Sequence, residues 1–175
     1  MIDLQTERGS PFWRFSLGFY RQPGVADACI ALQDGCGADV NVLLFFLWLA
    51  RARRCVSPVT AKALCVKVGP WHDDVVVSLR TLRRRLKNGS PLVERNAAEL
   101  LRTRIKSVEL ESERLQQEAM FALADELATE SAPTVEAAAR ANVAAYEQVS
   151  SSTFASADVD VLIVALSGGQ PDTDR

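Results

Sequence analysis

The residues best suited to chemistry lie in one turn, Gln33-Asp34-Gly35-Cys36-Gly37-Ala38-Asp39-Val40-Asn41, where two carboxylates and two amides sit between apolar stretches. Paired carboxylates can hold a cation or exchange protons with a substrate. The spacing does not fit an EF-hand, which needs alternating oxygen ligands and a closing glutamate. Helix ends also need such groups, because their terminal amides and carbonyls lack intrahelical partners. The pattern therefore favours Asp39 as the cap of the helix that follows, with Gln33 or Asp34 satisfying loose backbone groups. Gln33, Asp34, Asp39 and Asn41 form the candidate polar site.

Other chemical groups are sparser. Trp71-His72-Asp73-Asp74 sets the only histidine beside two acids, and an imidazole there could act as a general base. Adjacent residues point to different faces of a helix, however, and no serine or cysteine nucleophile is placed by a recognisable motif. The acidic pair is expected in a first helical turn, where the dipole favours negative charge. Cys29, Cys36, Cys55 and Cys65 contain no Cys-x-x-Cys pair, so the usual zinc patterns fail and reduced, semi-buried thiols are expected. Ser167-Gly168-Gly169 lacks the lysine and following helix of a phosphate loop. No residue is assigned a catalytic or metal-binding role, and no cofactor is implied.

Charge is balanced in total, with 20 Lys+Arg against 22 Asp+Glu, and polarised along the chain. Residues 51–106 carry 14 basic and 4 acidic groups, a net +10, whereas residues 107–175 carry 3 and 13, a net −10. Arg51, Arg53 and Arg54 follow one apolar run. Arg80, Arg83, Arg84 and Lys87 share one side of a helix at 100° per residue. These seven form a candidate basic surface that could meet phosphates. The alternative, preferred here, is pairing with the acids Glu109, Glu111, Glu113 and Glu118 of the same chain.

Helices must position these groups. Ser10-Pro11 starts the first, which is apolar on more than one face from Phe12 to Tyr20 and so calls for burial. Pro23-Gly24 breaks it. A second runs from about Val25 to Gln33 and ends at Gly35 and Gly37. Asp39 opens a third, which reaches roughly Cys55 with Trp48 at the core centre and is stopped by Ser57-Pro58. At eleven residues, Val40–Ala50 is too short for a bilayer, which needs about 20. Thr60–Val68 is a short helix, and Pro70 opens another that ends at Asn88-Gly89. Ser90-Pro91 starts a long helix whose apolar stripe includes Ala97, Leu100, Leu101, Val108, Leu115 and Ala119, with a bend or break near Ser112. Pro133-Thr134 starts a helix through Tyr146, and Ser150-Ser151-Ser152 is a linker. Asp158–Leu166 has strand-like β-branched content but no partner strand, and is taken as a docked helix.

The fold class expected is all-α: an irregular helical bundle with one long helical segment, short loops and no sheet. One domain covers residues 1–166, and residues 167–175 form a flexible polar tail.

Trp13, Phe15, Leu17, Tyr20, Gly24-Val25, Cys29, Leu32-Gln33-Asp34, Gly37, Asp39-Val40-Asn41 and Trp48-Leu49 make a specific pattern over residues 12–50. It resembles the N-terminal signature of an uncharacterised bacterial family, a domain of unknown function. The resemblance is looser over the middle of the chain and absent from the last third. It implies a helical bacterial protein of the cytoplasm and supplies no activity or site residues.

Three function classes follow. A helical interaction or adaptor protein, with another protein as partner, ranks first because amphipathic helices and polarised charge come without a chemical motif. Nucleic-acid binding through residues 51–106 ranks second. A small ligand-binding or enzymatic bundle using the 33–41 turn ranks third. A membrane partner is not expected.

Overall fold

The computed structural model describes residues 9–89 and 91–168. The first described element is α1 (Pro11–Tyr20), capped by the Ser10 hydroxyl, which accepts from the Trp13 amide with Pro11 in the first turn. Gly24 then turns the chain with φ +79 and lies 3.1 Å, by its would-be Cβ, from a Val161 methyl. A side chain there would be both strained and crowded. The second helix, α2 (Val25–Cys36), ends on left-handed Gly37, and α3 (Val40–Arg51) follows. Almost every residue of α3 is buried, with Leu43, Phe45, Phe46 and Leu47 fully so. A helix apolar all round can only sit in the middle of a fold. It packs most extensively against α7 (Val135–Ser150), whose Ala138, Ala139 and Ala145 let the two backbones approach. Trp48 is only partly buried, so the core centre is the Phe45–Phe46 pair and not Trp48.

The helical class holds, with one correction. The third helix stops at Arg51, because Arg53 takes the left-handed conformation at φ 56. Strand β1 (Arg54–Val56) then pairs antiparallel with β2 (Thr129–Ser131), Cys55 opposite Glu130. Buried Asn142 of α7 fixes this strand. Its Oδ1 accepts from the Val56 amide at 2.8 Å, and its Nδ2 donates to the Phe46 and Arg54 carbonyls at 2.9 Å.

Ser57 does not stop α3, which ends before β1; its side chain caps α4 (Pro58–Trp71). Pro70 lies inside α4 and does not open a new helix. Proline cannot donate to the preceding turn, and the chain widens directly after it into a π-helical turn at His72–Val77 before resuming as α5 (Ser78–Leu86). Asp73 and Asp74 therefore lie mid-helix and cap nothing. The long helix α6 (Arg95–Leu123) is capped by Glu94, not by Ser90-Pro91, and runs unbroken through Ser112, whose hydroxyl bonds back to the Glu109 carbonyl.

The seventh helix continues past Tyr146 to Ser150, and left-handed Ser151 ends it. Segment 158–166 is helical, within α8 (Ser156–Gly168), and buries Leu162, Ile163 and Leu166. Of the segment expected as a tail, residues 167 and 168 belong to α8, and 169–175 lie outside the described residues. Among the described residues no helix is long and apolar enough to cross a membrane. All four cysteines are free, and burial pushes the Cys29 thiol to about 12 and the Cys65 thiol to about 11.

Candidate functional site

Asp39 caps α3 as the sequence suggests, its Oδ1 accepting from the Asn41 amide at 2.9 Å. It is also buried, and burial raises its carboxyl above the ordinary range. Three elements converge on it. From α6, Gln116 Nε2 donates to Oδ2 at 2.6 Å. From α7, the Tyr146 hydroxyl accepts from the Asp39 amide at 2.8 Å. From the π turn, His72 Nε2 approaches Oδ1 to 4.0 Å, while His72 Nδ1 bonds Asp73 at 2.9 Å. His72 closes α4 in ordinary helical geometry, and the widened turn begins at it.

The bonding continues away from Asp39 in one direction. Asn41 Nδ2 donates to Gln116 Oε1 at 2.9 Å, and Gln117 Nε2 donates to Asn41 Oδ1 at 2.7 Å. Each amide thus points its N–H toward Asp39. At the far end Gln117 Oε1 is buried without a partner among the described residues, as are Ser16 Oγ and Trp13 Nε1.

Those three residues line a cleft of about 620 Å³ between α1, α2, α5 and α6, with α3 at its floor through Val40, Asn41 and Leu44. One wall carries Leu17 and Tyr20, and burial pushes the Tyr20 phenol to about 12. Another carries Arg80, Arg83 and Arg84, facing Glu109 and Glu113. Arg80 donates to Glu109 at 3.3 Å and to Glu113 at 2.9 Å, and Arg83 clasps Glu109 with two nitrogens. Burial raises the Glu113 carboxyl, and the Arg80 charge holds it partly down. Two further cations, Arg21 and Lys106, line the cleft with no ion-pair partner among the described residues.

The candidate polar site is split. Asp39 and Asn41 are joined, in the buried chain. Gln33 lines the cleft and donates to Asp34 at 3.2 Å; Asp34 is exposed and accepts from Arg84 at 2.8 Å, a bond that lowers its carboxyl. Neither one satisfies the loose backbone groups expected of them. The candidate basic surface is split as well. Arg80, Arg83 and Arg84 are engaged with acids. Arg54 turns inward to the Ala124 carbonyl at 2.6 Å, and the Arg51 guanidinium lies 5.3 Å over the Phe15 ring. Arg53 and Lys87 are exposed. Pairing of Arg80 and Arg83 with Glu109 and Glu113 follows the expectation. Arg51–Arg54 do not meet that acidic run; Glu111 pairs with Arg114, and Glu118 accepts from the Ser10 amide.

Sequence reasoning missed Gln116, Gln117, Ser16 and Tyr146. The available signal was Gln116-Gln117 itself, two amides together in an amphipathic helix. The stripe read along α6 carried no direction. The buried residues are Ala98, Glu109, Ser112, Gln116, Gln117 and Met120. The apolar stripe lies outside, with Leu101 49%, Val108 54% and Leu115 44% exposed.

Fold and site together define a helical bundle with one two-stranded sheet, a polar seam between its central helix and its longest one, and no cluster of metal-ligating side chains among the described residues. The chain belongs to the family described as Protein of unknown function (DUF2390), whose sequence model matches residues 11–120. That span holds the whole chain from Asp39 to Gln117. No curated protein and no solved structure matches the sequence.

Proposed function

We propose that this protein is a helical interaction protein that works through the outward face of α6, and that a second copy of the chain is its partner. The inverted burial of α6 carries this reading: polar residues face the bundle and an apolar stripe faces out. Ala97, Leu101, Val108, Leu115 and Ala119 lie within about 40° of one another around the helix and span about 33 Å along it. All five are exposed. A contiguous uncovered apolar face of this kind marks a contact surface.

Self-pairing follows from the order of residues. In an antiparallel pair centred on Val108, Leu101 meets Leu115 of the other copy and Ala97 meets Ala119. Arg104 and Glu111, which flank the stripe, fall beside each other with opposite charge. The arrangement has the two-fold symmetry of most soluble dimers. The four free thiols and the N-terminal signature support a bacterial cytoplasm as its setting. A nucleic-acid role has less support, since phosphates would have to displace the acids that hold Arg80, Arg83 and Arg84.

Light scattering on a sizing column tests the reading. A dimer is expected for the wild type and a monomer of unchanged melting temperature for Val108→Glu. Arg104→Glu should weaken the dimer, and adding Glu111→Arg should restore it. A wild type that stays monomeric at high concentration would rule self-pairing out.

A further inference from the structure

We propose that the cleft between α1, α2, α5 and α6 binds an organic acid with an apolar body and one N–H or O–H donor. The site is separate from the outer stripe of α6 and does not depend on it.

Three features of the cleft set that chemistry. The first is charge. Five basic side chains line it against Glu109 and Glu113. Those two acids are shared by Arg80 and Arg83, and Asp34 holds Arg84. Arg21 and Lys106 have no ion-pair partner among the described residues, so the cleft favours a negatively charged group near them.

The second is its apolar lining. Leu17, Ile30, Leu44 and Leu110 supply aliphatic walls. At about 620 Å³ the space falls in the range that small-molecule pockets occupy. An inorganic anion would leave these walls wet, whereas an acid with a hydrocarbon or aryl body would cover them.

The third is the set of buried polar groups left open. Gln117 Oε1 can only accept, and the direction of the amide chain fixes it there, since Nε2 is committed to Asn41. It calls for a donor on the ligand. Ser16 Oγ, also buried and open, can answer as either partner. An unmatched buried polar group is costly, and native proteins rarely leave one without a reason. Apolar body, anionic head and a donor between them together describe the ligand.

Anilinonaphthalene sulfonate carries all three elements, and phenylnaphthylamine has the same body and N–H without the sulfonate. The first dye should bind once per chain, shifting the NMR signals of the Trp13 indole, the Ser16 amide and the Gln117 side-chain amide. The neutral amine should bind about tenfold more weakly, and so should the sulfonate to Arg21→Glu/Lys106→Glu, whose residues hold no ion pair among the described residues. Val108→Glu should bind the dye as the wild type does, which separates the cleft from the stripe. The proposal is overturned if the sulfonate fails to bind, if both dyes bind equally, if the double variant binds as well as the wild type, or if the shifts fall on Leu101, Val108 and Leu115 instead.

Discussion

The Asp39 carboxylate accepts the Gln116 side-chain amide at 2.6 Å across the contact between α3 and α6. A carboxylate has no proton to give at neutral pH. Gln116 must therefore turn its Nε2 toward Asp39 and its Oε1 toward Asn41, which in turn presents its own oxygen to Gln117. One charged group at the start of the chain decides the polarity of three amides and leaves an acceptor at the cleft.

Asp39→Asn and Asp39→Ala should then behave differently. An amide at 39 can still cap α3 with its oxygen and donate its N–H to Gln116, so all three amides can rotate and remain bonded. The asparagine variant should lose less than about 1 kcal/mol, while alanine, which strands both the cap and Gln116, should lose about 2–4 kcal/mol. Urea melts of the two variants decide it. Equal losses would mean that the chain does not reverse.

Glu109 and Glu111 stand two residues apart and should differ in the same manner. Glu109 is buried and bridges Arg80 and Arg83, whereas Glu111 is exposed and pairs only with Arg114. Glu109→Gln should cost about 2–4 kcal/mol, since it leaves two part-buried cations under-paired. Glu111→Gln should cost less than about 1 kcal/mol. A larger loss at 111 than at 109 would contradict the burial pattern of α6.

Glu113 gives a pH dependence with a definite sign. Its folded carboxyl is raised by burial despite Arg80. Stability from a raised acid is fully present below the unfolded value, about 4.3, and is lost as pH rises through the folded value. Wild type should therefore gain on Glu113→Gln when the pH is lowered from about 7 to about 5. A stability difference that stays constant between those two conditions would refute the assignment. Asp39 is raised by burial as well and shifts both proteins in the same direction; its charge also helps to raise Glu113, so the comparison reads the two carboxyls together.

Much of the fold was legible because its punctuation is local. Ser10-Pro11, Gly37, Asp39 and Thr134 cap or end helices where their residue types say they should. The misjudged features depend on tertiary partners. Nothing local announces that Arg53 will turn left-handed, because the strand it leads into is fixed by Asn142, 86 positions from Val56. Pro70 looks like a helix start, and only a π turn lets the helix pass it. The facing of α6 lay further out of reach. Periodicity finds an apolar stripe but cannot say whether it faces the core, and here the core side is occupied by Glu109, Gln116 and Gln117, whose partners lie on α3 and α5. Asp39 and Asn41 were found by type, while the partners that give them meaning were not.

The aromatic core ranks Phe45 above Trp48. Phe45 is fully buried, 5.1 Å from the Phe12 ring and 5.7 Å from Trp48. Phe45→Ala should cost about 3–5 kcal/mol. Trp48, only partly buried against Phe12, Phe45 and Phe121, should cost less when truncated. Thermal melts of the two alanine variants compare them directly, and a greater loss at 48 would return the core centre to the tryptophan.

Asn142 is the most exacting position of the fold. It is fully buried, and its amide satisfies three backbone groups: the Val56 N–H and the carbonyls of Phe46 and Arg54. Both of its polarities are used, so the two near-isosteres fail for different reasons. Leucine matches the volume and strands all three groups, which should cost about 3–5 kcal/mol given about 1–3 for each buried group left open and some relaxation. Aspartate keeps the acceptor for Val56 but sets a second oxygen against two carbonyls in a buried site. It should either take up a proton, donating to one carbonyl and leaving the other open, or unfold the local structure. Asn142→Asp should therefore regain stability as the pH falls toward about 5, since a carboxyl buried among carbonyls has a raised folded value. Asn142→Leu should show no such recovery. Because Asn142 holds β1, hydrogen exchange at Val56 should rise in both variants before it rises at Leu43 or Leu47 in the core of α3. If the Val56 amide stays as protected as those two in Asn142→Leu, the strand is held by something other than this side chain.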